Sequence, residues 1–154
     1  MKSRWNYAKV TPGLYEAMDA VEQFISGCGL ERTLYELIKL RISQINGCAY
    51  CIDMHWKDLR ALGESEQRLY GLDAWEESGY YTARERAALQ WAEAVNDLRA
   101  SHVSDAEYAA AASELSVADL ALIALVVAQI NSWNRLSIAS RLVAGTYTST
   151  ASVA

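Results

Sequence analysis

The sequence predicts an all-α fold, and three observations carry that prediction. Apolar residues recur at spacings of three and four through most of the 154-residue chain, while period-two alternation is nearly absent. The only proline is Pro12, so little interrupts a helix. Thr82 with Glu85 and Ser104 with Glu107 have the three-residue offset of a capping box, a helix-start signature.

Thr11-Pro12 reads as the first start, with Thr as cap and Pro in the first turn, where its missing N–H costs nothing. The helix it opens has Leu14, Met18, Val21 and Phe24/Ile25 on one face and ends at Gly27 and Gly29. A second helix takes Glu31 to about Gln44, with Leu34, Leu37, Ile38, Ile42 and Ile45 as its apolar set. Glu36 lies off the centre of that stripe, free to face a pocket or a partner helix. Asn46-Gly47 breaks the helix, since both residues tolerate positive φ.

A third helix begins near Cys48 and stops at Gly63. A short one within Glu64 to Trp75 is interrupted by Gly71. The Thr82 box opens a helix to about Arg99 that buries Ala87, Ala88, Trp91, Ala94, Val95 and Leu98. The Ser104 box opens an Ala-rich helix ending near Leu115. Ser116, with Asp119 in the first turn, starts the last helix, which runs towards Gly145. From Leu120 to Ile130 it is apolar almost all round, which predicts a central or interface position. The expectation is a single domain over 1–154, with a core of about 11–145 and a loosely ordered tail over 146–154.

Apolar residues make up 52% and charged residues 21%, a globular composition. The net charge is −5 and no Lys/Arg cluster could track a phosphate backbone, which argues against a nucleic-acid partner. No apolar run follows the basic N-terminal residues as a secretory signal would require. The eleven-residue run from Leu120 is too short for a bilayer core of about 30 Å. The expectation is therefore no membrane partner and a reducing, cytoplasmic setting. There a C-x-x-C pair points to catalysis or metal binding before a permanent staple.

That pair is Cys48-Ala-Tyr-Cys51, within ELIKLRISQINGCAYCIDMH over 36–55. Helical spacing of three and then four puts Cys48, Cys51 and His55 on one face. Two cysteines one turn apart can close a disulfide. Cys48 falls at a helix N-terminus, where free N–H groups favour a thiolate. His55 is placed to exchange a proton with Cys51, and Tyr50 adds a hydroxyl nearby. Such a thiolate reduces a peroxide to leave a sulfenic acid, which a neighbouring thiol condenses to a disulfide. Cys28 has no acid–base partner in sequence and reads as structural, and His102 as an exposed loop residue.

These residues, with INSWNRLS at 130–137, resemble the alkylhydroperoxidase D-like (AhpD-like) branch of the carboxymuconolactone decarboxylase superfamily. The likeness covers about residues 15–145. Its specific part is E-x11-C-x-x-C-x3-H, matched by Glu36, Cys48, Cys51 and His55. The family often has histidine immediately before the second cysteine; this chain has Tyr50.

The resemblance implies an all-helical homotrimer or homohexamer and a cysteine peroxidase that needs no metal, haem or flavin. It implies that Cys51 attacks the hydroperoxide, that the more exposed Cys48 resolves, and that Glu36, Tyr50 and His55 relay protons. An external dithiol, on a lipoyl- or thioredoxin-like protein, would reduce the disulfide. Asn131, Trp133, Asn134 and Arg135 match the family's fingerprint, with packing or oligomer contacts as their expected role. Two other classes stay open: a non-peroxidase enzyme of the superfamily acting on lactone-type acids, and a redox sensor or zinc module. C-x-x-C-x3-H supplies three zinc ligands, with Glu36 as a fourth.

Overall fold

The capping signatures open helices where the sequence puts them. Thr82 Oγ1 accepts the Glu85 N–H at 3.2 Å, and the Glu85 carboxylate accepts the Thr82 N–H at 2.8 Å. Ser104 with Glu107, and Ser116 with Asp119, form the same reciprocal pair. In the computed structural model, which describes residues 2–151, the elements are α1 (Tyr7–Val10), α2 (Leu14–Ser26), α3 (Arg32–Asn46) and α4 (Ala49–Ala61). α5 (Glu66–Tyr70) runs into a 3-10 turn (Gly71–Ala74), followed by α6 (Ala83–Asn96), α7 (Asp105–Ala112) and α8 (Val117–Ser140). No strand occurs among the described residues, so the fold is all-α as predicted.

Two apolar cores meet at α3. One joins Ile38 and Ile42 of α3 to Ala88 and Ala92 of α6 and to Ile123, Val126 and Ile130 of α8. The other joins Leu37 and Leu40 of α3 to Leu59 of α4, Leu69 of α5, Leu72 and Leu89. Every residue from Leu34 to Leu40 is buried. A helix covered on both sides leaves its polar residues no water, so Glu36 and Lys39 need partners inside the protein.

α8 takes the central place its apolar stretch predicts. At 24 residues, with a mean hydropathy of 1.4 over its most apolar 18-residue window, it is long and apolar enough to cross a membrane, unlike the eleven-residue run considered alone. Its Leu120, Ile123, Val126, Val127 and Ile130 are instead buried within the first core.

Several expectations at helix ends need correction. Thr11 closes α1, its N–H bonded to Tyr7 O, instead of capping α2. Gly13, at φ 86°, separates the two helices and makes Thr11-Pro12 a turn. Ile25 takes the buried place at the end of α2 and Phe24 turns outward, 63% exposed. α6 ends at Asn96, which leaves Leu98 in solvent, and Ile45 is also exposed at the end of α3. α7 ends at Ala112, although Leu115 N–H still bonds Ala111 O. α8 stops at Ser140, where Arg141 adopts a left-handed conformation at φ 55°.

Part of the tail docks on α4. Tyr147 and Ser149 both donate to Asp58 Oδ1, at 2.8 and 2.5 Å, and Lys57 Nζ donates to Tyr147 O at 2.9 Å. Residues 152–154, the end of the tail expected to be loose, lie outside the described residues.

Candidate functional site

The α3–α4 corner is set by Gly47. Its φ of 69° ends α3 and turns the chain so that α4 starts at Cys48 against the end of α3. Cys48 is the N-cap of α4, with its Sγ accepting the Cys51 N–H at 3.4 Å. The two cysteines form a disulfide, with Cα atoms 5.3 Å apart. Both are buried, Cys48 at 1% and Cys51 at 2% exposure, so the expected greater exposure of Cys48 is absent in the disulfide form. Gly47 and Ala49 at the α4 N-terminus are exposed, while both cysteines turn inward.

One turn further along α4, His55 points at α3. Its Nδ1 lies 2.7 Å from Glu36 Oε2. Glu36 Oε1 accepts from Arg32 one turn earlier, at 2.9 Å. Burial pushes the Glu36 carboxyl up, but the hydrogen bond and charge of His55, with Lys39 and Arg32 behind them, outweigh it and hold the group below its ordinary value. An ionised Glu36 can only accept, so His55 Nδ1 carries the shared proton, and Nε2 is the ring nitrogen turned away from the couple. That Nε2 is buried and has no hydrogen-bond partner among the described residues.

Cys51, His55 and Glu36 share the wall of a cavity of about 370 Å³. Tyr7, Tyr15, Tyr35, Tyr50, Tyr147 and Trp133 give it aromatic walls. A second cavity, of about 390 Å³, adjoins Cys48. Tyr50 and Ser137 line both cavities. Among the described residues no hydrogen bond joins the Tyr50 hydroxyl to Glu36, His55 or either cysteine, so the relay's expected middle member is unconnected. Burial, and then the charge of Asp53, push the Tyr50 pKa up, which keeps the phenol protonated at neutral pH.

Three groups in this site have no place in the sequence reading. Lys39 is buried between Glu22, with Nζ–Oε distances of 2.8 and 2.9 Å, and Tyr35 Oη at 2.7 Å. Glu22 also accepts from Tyr35 and, at 2.6 Å, from Trp133 Nε1. Burial pushes the Glu22 carboxyl up, and Lys39 more than reverses this. The signal in the sequence is Lys39 itself, a cation between Ile38 and Leu40 on the most buried helix. Asp58 had a signal too: it continues the three-and-four spacing of Cys48, Cys51 and His55.

Ligand atoms of Glu36, His55 and Asp58 lie within 4.8 Å of one another, close enough to approach a cation. Much of their capacity is already used: Glu36 by His55 and Arg32, Asp58 Oδ1 by Tyr147 and Ser149. With the sulfurs joined to each other, the Cys48–Cys51–His55–Glu36 zinc set is not available in this form.

The fingerprint of α8 is mostly packing chemistry. Asn134 Oδ1 accepts from Asn46 at 2.8 Å and Asn134 Nδ2 donates to Ser43 Oγ at 3.1 Å, which pins α8 to the end of α3. Asn131 bridges Asn46 and Asn96, and Arg135 folds back on Asn131. Of these four, Trp133 alone lines the cavity that holds Cys51 and His55. Cys28 is exposed instead of structural, its Sγ near Phe24 O, and His102 sits in a loop as expected.

Comparison with known proteins agrees with this architecture. An uncharacterised protein of Bacillus subtilis, YdfG, is 40% identical over 139 residues, covering 90% of this chain and 95% of its own. A crystal structure from Agrobacterium tumefaciens, described as a protein of unknown function and a candidate antioxidant defence protein AhpD, superposes with a TM-score of 0.90. It is 38% identical and covers 95% of this chain and all of its own. The alkyl hydroperoxide reductase AhpD of Bradyrhizobium diazoefficiens is 40% identical over 45 residues, 29% of this chain and 25% of its own. Residues 12–94, which hold α2 to α4 and the whole thiol motif, match the carboxymuconolactone decarboxylase family, and the chain belongs to that family, in its AhpD-like branch.

Proposed function

We propose that this protein is a dithiol-dependent hydroperoxide reductase that cycles through the Cys48–Cys51 disulfide. The observation that carries the reading is the pairing of that disulfide with a buried His55–Glu36 couple on the wall of one cavity. The named AhpD relative supports it.

In the reduced enzyme His55 Nε2 takes the Cys51 proton, and Glu36 holds the resulting imidazolium in place. The Cys51 thiolate attacks the distal peroxide oxygen. The O–O bond breaks, the sulfur becomes a sulfenic acid, and the alkoxide takes the proton back from His55. Cys48 then attacks the Cys51 sulfur, releasing water and closing the disulfide. An external dithiol returns two electrons and two protons. No cofactor beyond the two sulfurs enters this cycle. Tyr50 forms the wall between the two cavities and stands outside the relay, because nothing connects its hydroxyl to the couple.

The test is steady-state reduction of cumene hydroperoxide with a dithiol donor. Cys51→Ser should abolish turnover, and Cys48→Ser should stop it after one equivalent of peroxide. Full turnover in Cys51→Ser would overturn the assignment of attack to Cys51.

A further inference from the structure

The two cavities flanking the disulfide carry opposite charge. On the Cys51 side the wall holds four carboxylates, Asp19, Glu22, Glu36 and Asp58, against two cations, Arg32 and Lys39. On the Cys48 side the only charged residues among those described are Arg4 and Arg141. Ala49, Ile138 and Leu142 complete that groove as an apolar floor. Arg4 is held in place: its N–H donates to Ser140 O at 2.8 Å and its guanidinium to Ala139 O at 3.1 Å, the free carbonyls at the end of α8. Arg141 follows directly, its left-handed backbone ending the helix, and is exposed. Tyr50 and Ser137 stand between the two cavities.

We propose that the disulfide is served from two sides, with peroxide reaching Cys51 from the acidic aromatic cavity and an anionic dithiol reaching Cys48 along the Arg4–Arg141 groove. The inference rests on the peroxidase reading for the cycle it completes. Cys48 is 1% exposed, so its sulfur is approached only through a cavity wall, and the wall it belongs to is the basic one. Charge complementarity then selects the donor. A small dithiol carrying a carboxylate is drawn to this groove and repelled from the other.

The exchange follows from the placement. One thiolate of the donor attacks Cys48 Sγ. The Cys48–Cys51 bond breaks, and its electron pair leaves on Cys51, whose thiolate takes a proton on the His55 side. The donor's second thiolate attacks the donor sulfur of the mixed disulfide. Cys48 departs as a thiolate and the donor as a cyclic disulfide, with two electrons passed to the protein.

The experiment is single-turnover reduction of the oxidised protein, without peroxide, by dihydrolipoate and by its neutral amide, which share one dithiol and differ in one charge. Dihydrolipoate should react about tenfold faster at low salt, with the advantage lost as ionic strength rises. Arg141→Glu should reverse the preference, whereas Arg99→Glu, the same charge change on another face, should keep it. Equal rates for the two donors, or a preference that survives both Arg141→Glu and Arg4→Glu, would overturn the proposal. Peroxide consumption is measured separately. Turnover of peroxide without charge preference sinks the groove alone, and charge preference without peroxide turnover sinks the peroxidase reading while the groove stands.

Discussion

His55 Nδ1 and Glu36 Oε2 lie 2.7 Å apart, on two different helices, with each side chain 2% exposed. Such a contact fixes both the orientation of the imidazole and its tautomer, and leaves Nε2 as the only free position on the ring. Glu36→Gln keeps the shape of the pair but can offer Nδ1 either an oxygen or an amide, and it cannot balance an imidazolium. The expected outcome is a fall in kcat for hydroperoxide of about 10- to 100-fold, the usual effect of losing a group that orients a working histidine. Steady-state kinetics checks it. The Cys48–Cys51 disulfide should still form in this variant, as mass spectrometry under non-reducing conditions would show.

The same couple gives stability a pH dependence. Glu36 binds its proton less readily folded than unfolded, because its carboxyl is held below the ordinary 4.5. Its stabilisation is therefore fully present above the unfolded value and is lost as pH falls from about there through the lower folded value. Glu22 is shifted in the same direction and adds to the loss. Urea midpoints should stay nearly level between pH 6 and pH 7 on account of these groups and drop as the pH falls below about 4.5. In Glu36→Gln the drop should be shallower. An identical acid slope in wild type and Glu36→Gln would show that Glu36 is not held ionised by its surroundings.

Much of this architecture is local chemistry and was legible in the residues. The Thr82, Ser104 and Ser116 starts each depend on one residue and another three positions later, and each forms. The common face of Cys48, Cys51 and His55 depends only on helical pitch. What the sequence could not supply is what the tertiary fold decides. Phe24 and Ile25 are equal candidates for the α2 core, and only packing against α3 and α8 picks Ile25. Glu22 and Lys39 are seventeen residues apart, so no periodicity pairs them. The docking of Tyr147 on Asp58 spans still more of the chain, and the polar composition of the tail points the opposite way. The separation of two cavities by Tyr50 is likewise a property of how α4 lies against α8.

Lys39 and Glu22 show what such a long-range pair costs to break. Lys39→Met leaves the Glu22 carboxylate in the cavity wall with hydrogen bonds from Tyr35 and Trp133 but no counter-charge. Removing one partner of a buried ion pair costs about 3–5 kcal/mol, so the urea midpoint should fall accordingly. Adding Glu22→Gln removes the stranded charge while its carbonyl still accepts from Tyr35 and Trp133. The double variant should regain most of the loss. If it is no more stable than Lys39→Met alone, the cost lies in lost packing of the lysine stem and not in the charge.

Tyr50 offers the sharpest separation between a wall and a relay. Its hydroxyl has no hydrogen bond to the His55–Glu36 couple, and burial together with Asp53 raises its pKa, so it is a poor proton carrier at neutral pH. Its ring, in contrast, faces both cavities. Tyr50→Phe retains the ring and should change kcat by less than about twofold, against the 10²- to 10⁴-fold that a group transferring protons supplies. Tyr50→Ala removes the partition and should raise the KM for a bulky hydroperoxide and for the dithiol together, since each loses a surface it rests on. A hundredfold fall in kcat for Tyr50→Phe would put the hydroxyl back into the proton path. Such a result would require the reduced enzyme to turn Tyr50 towards His55 Nε2, the buried nitrogen that has no partner among the described residues in the disulfide form.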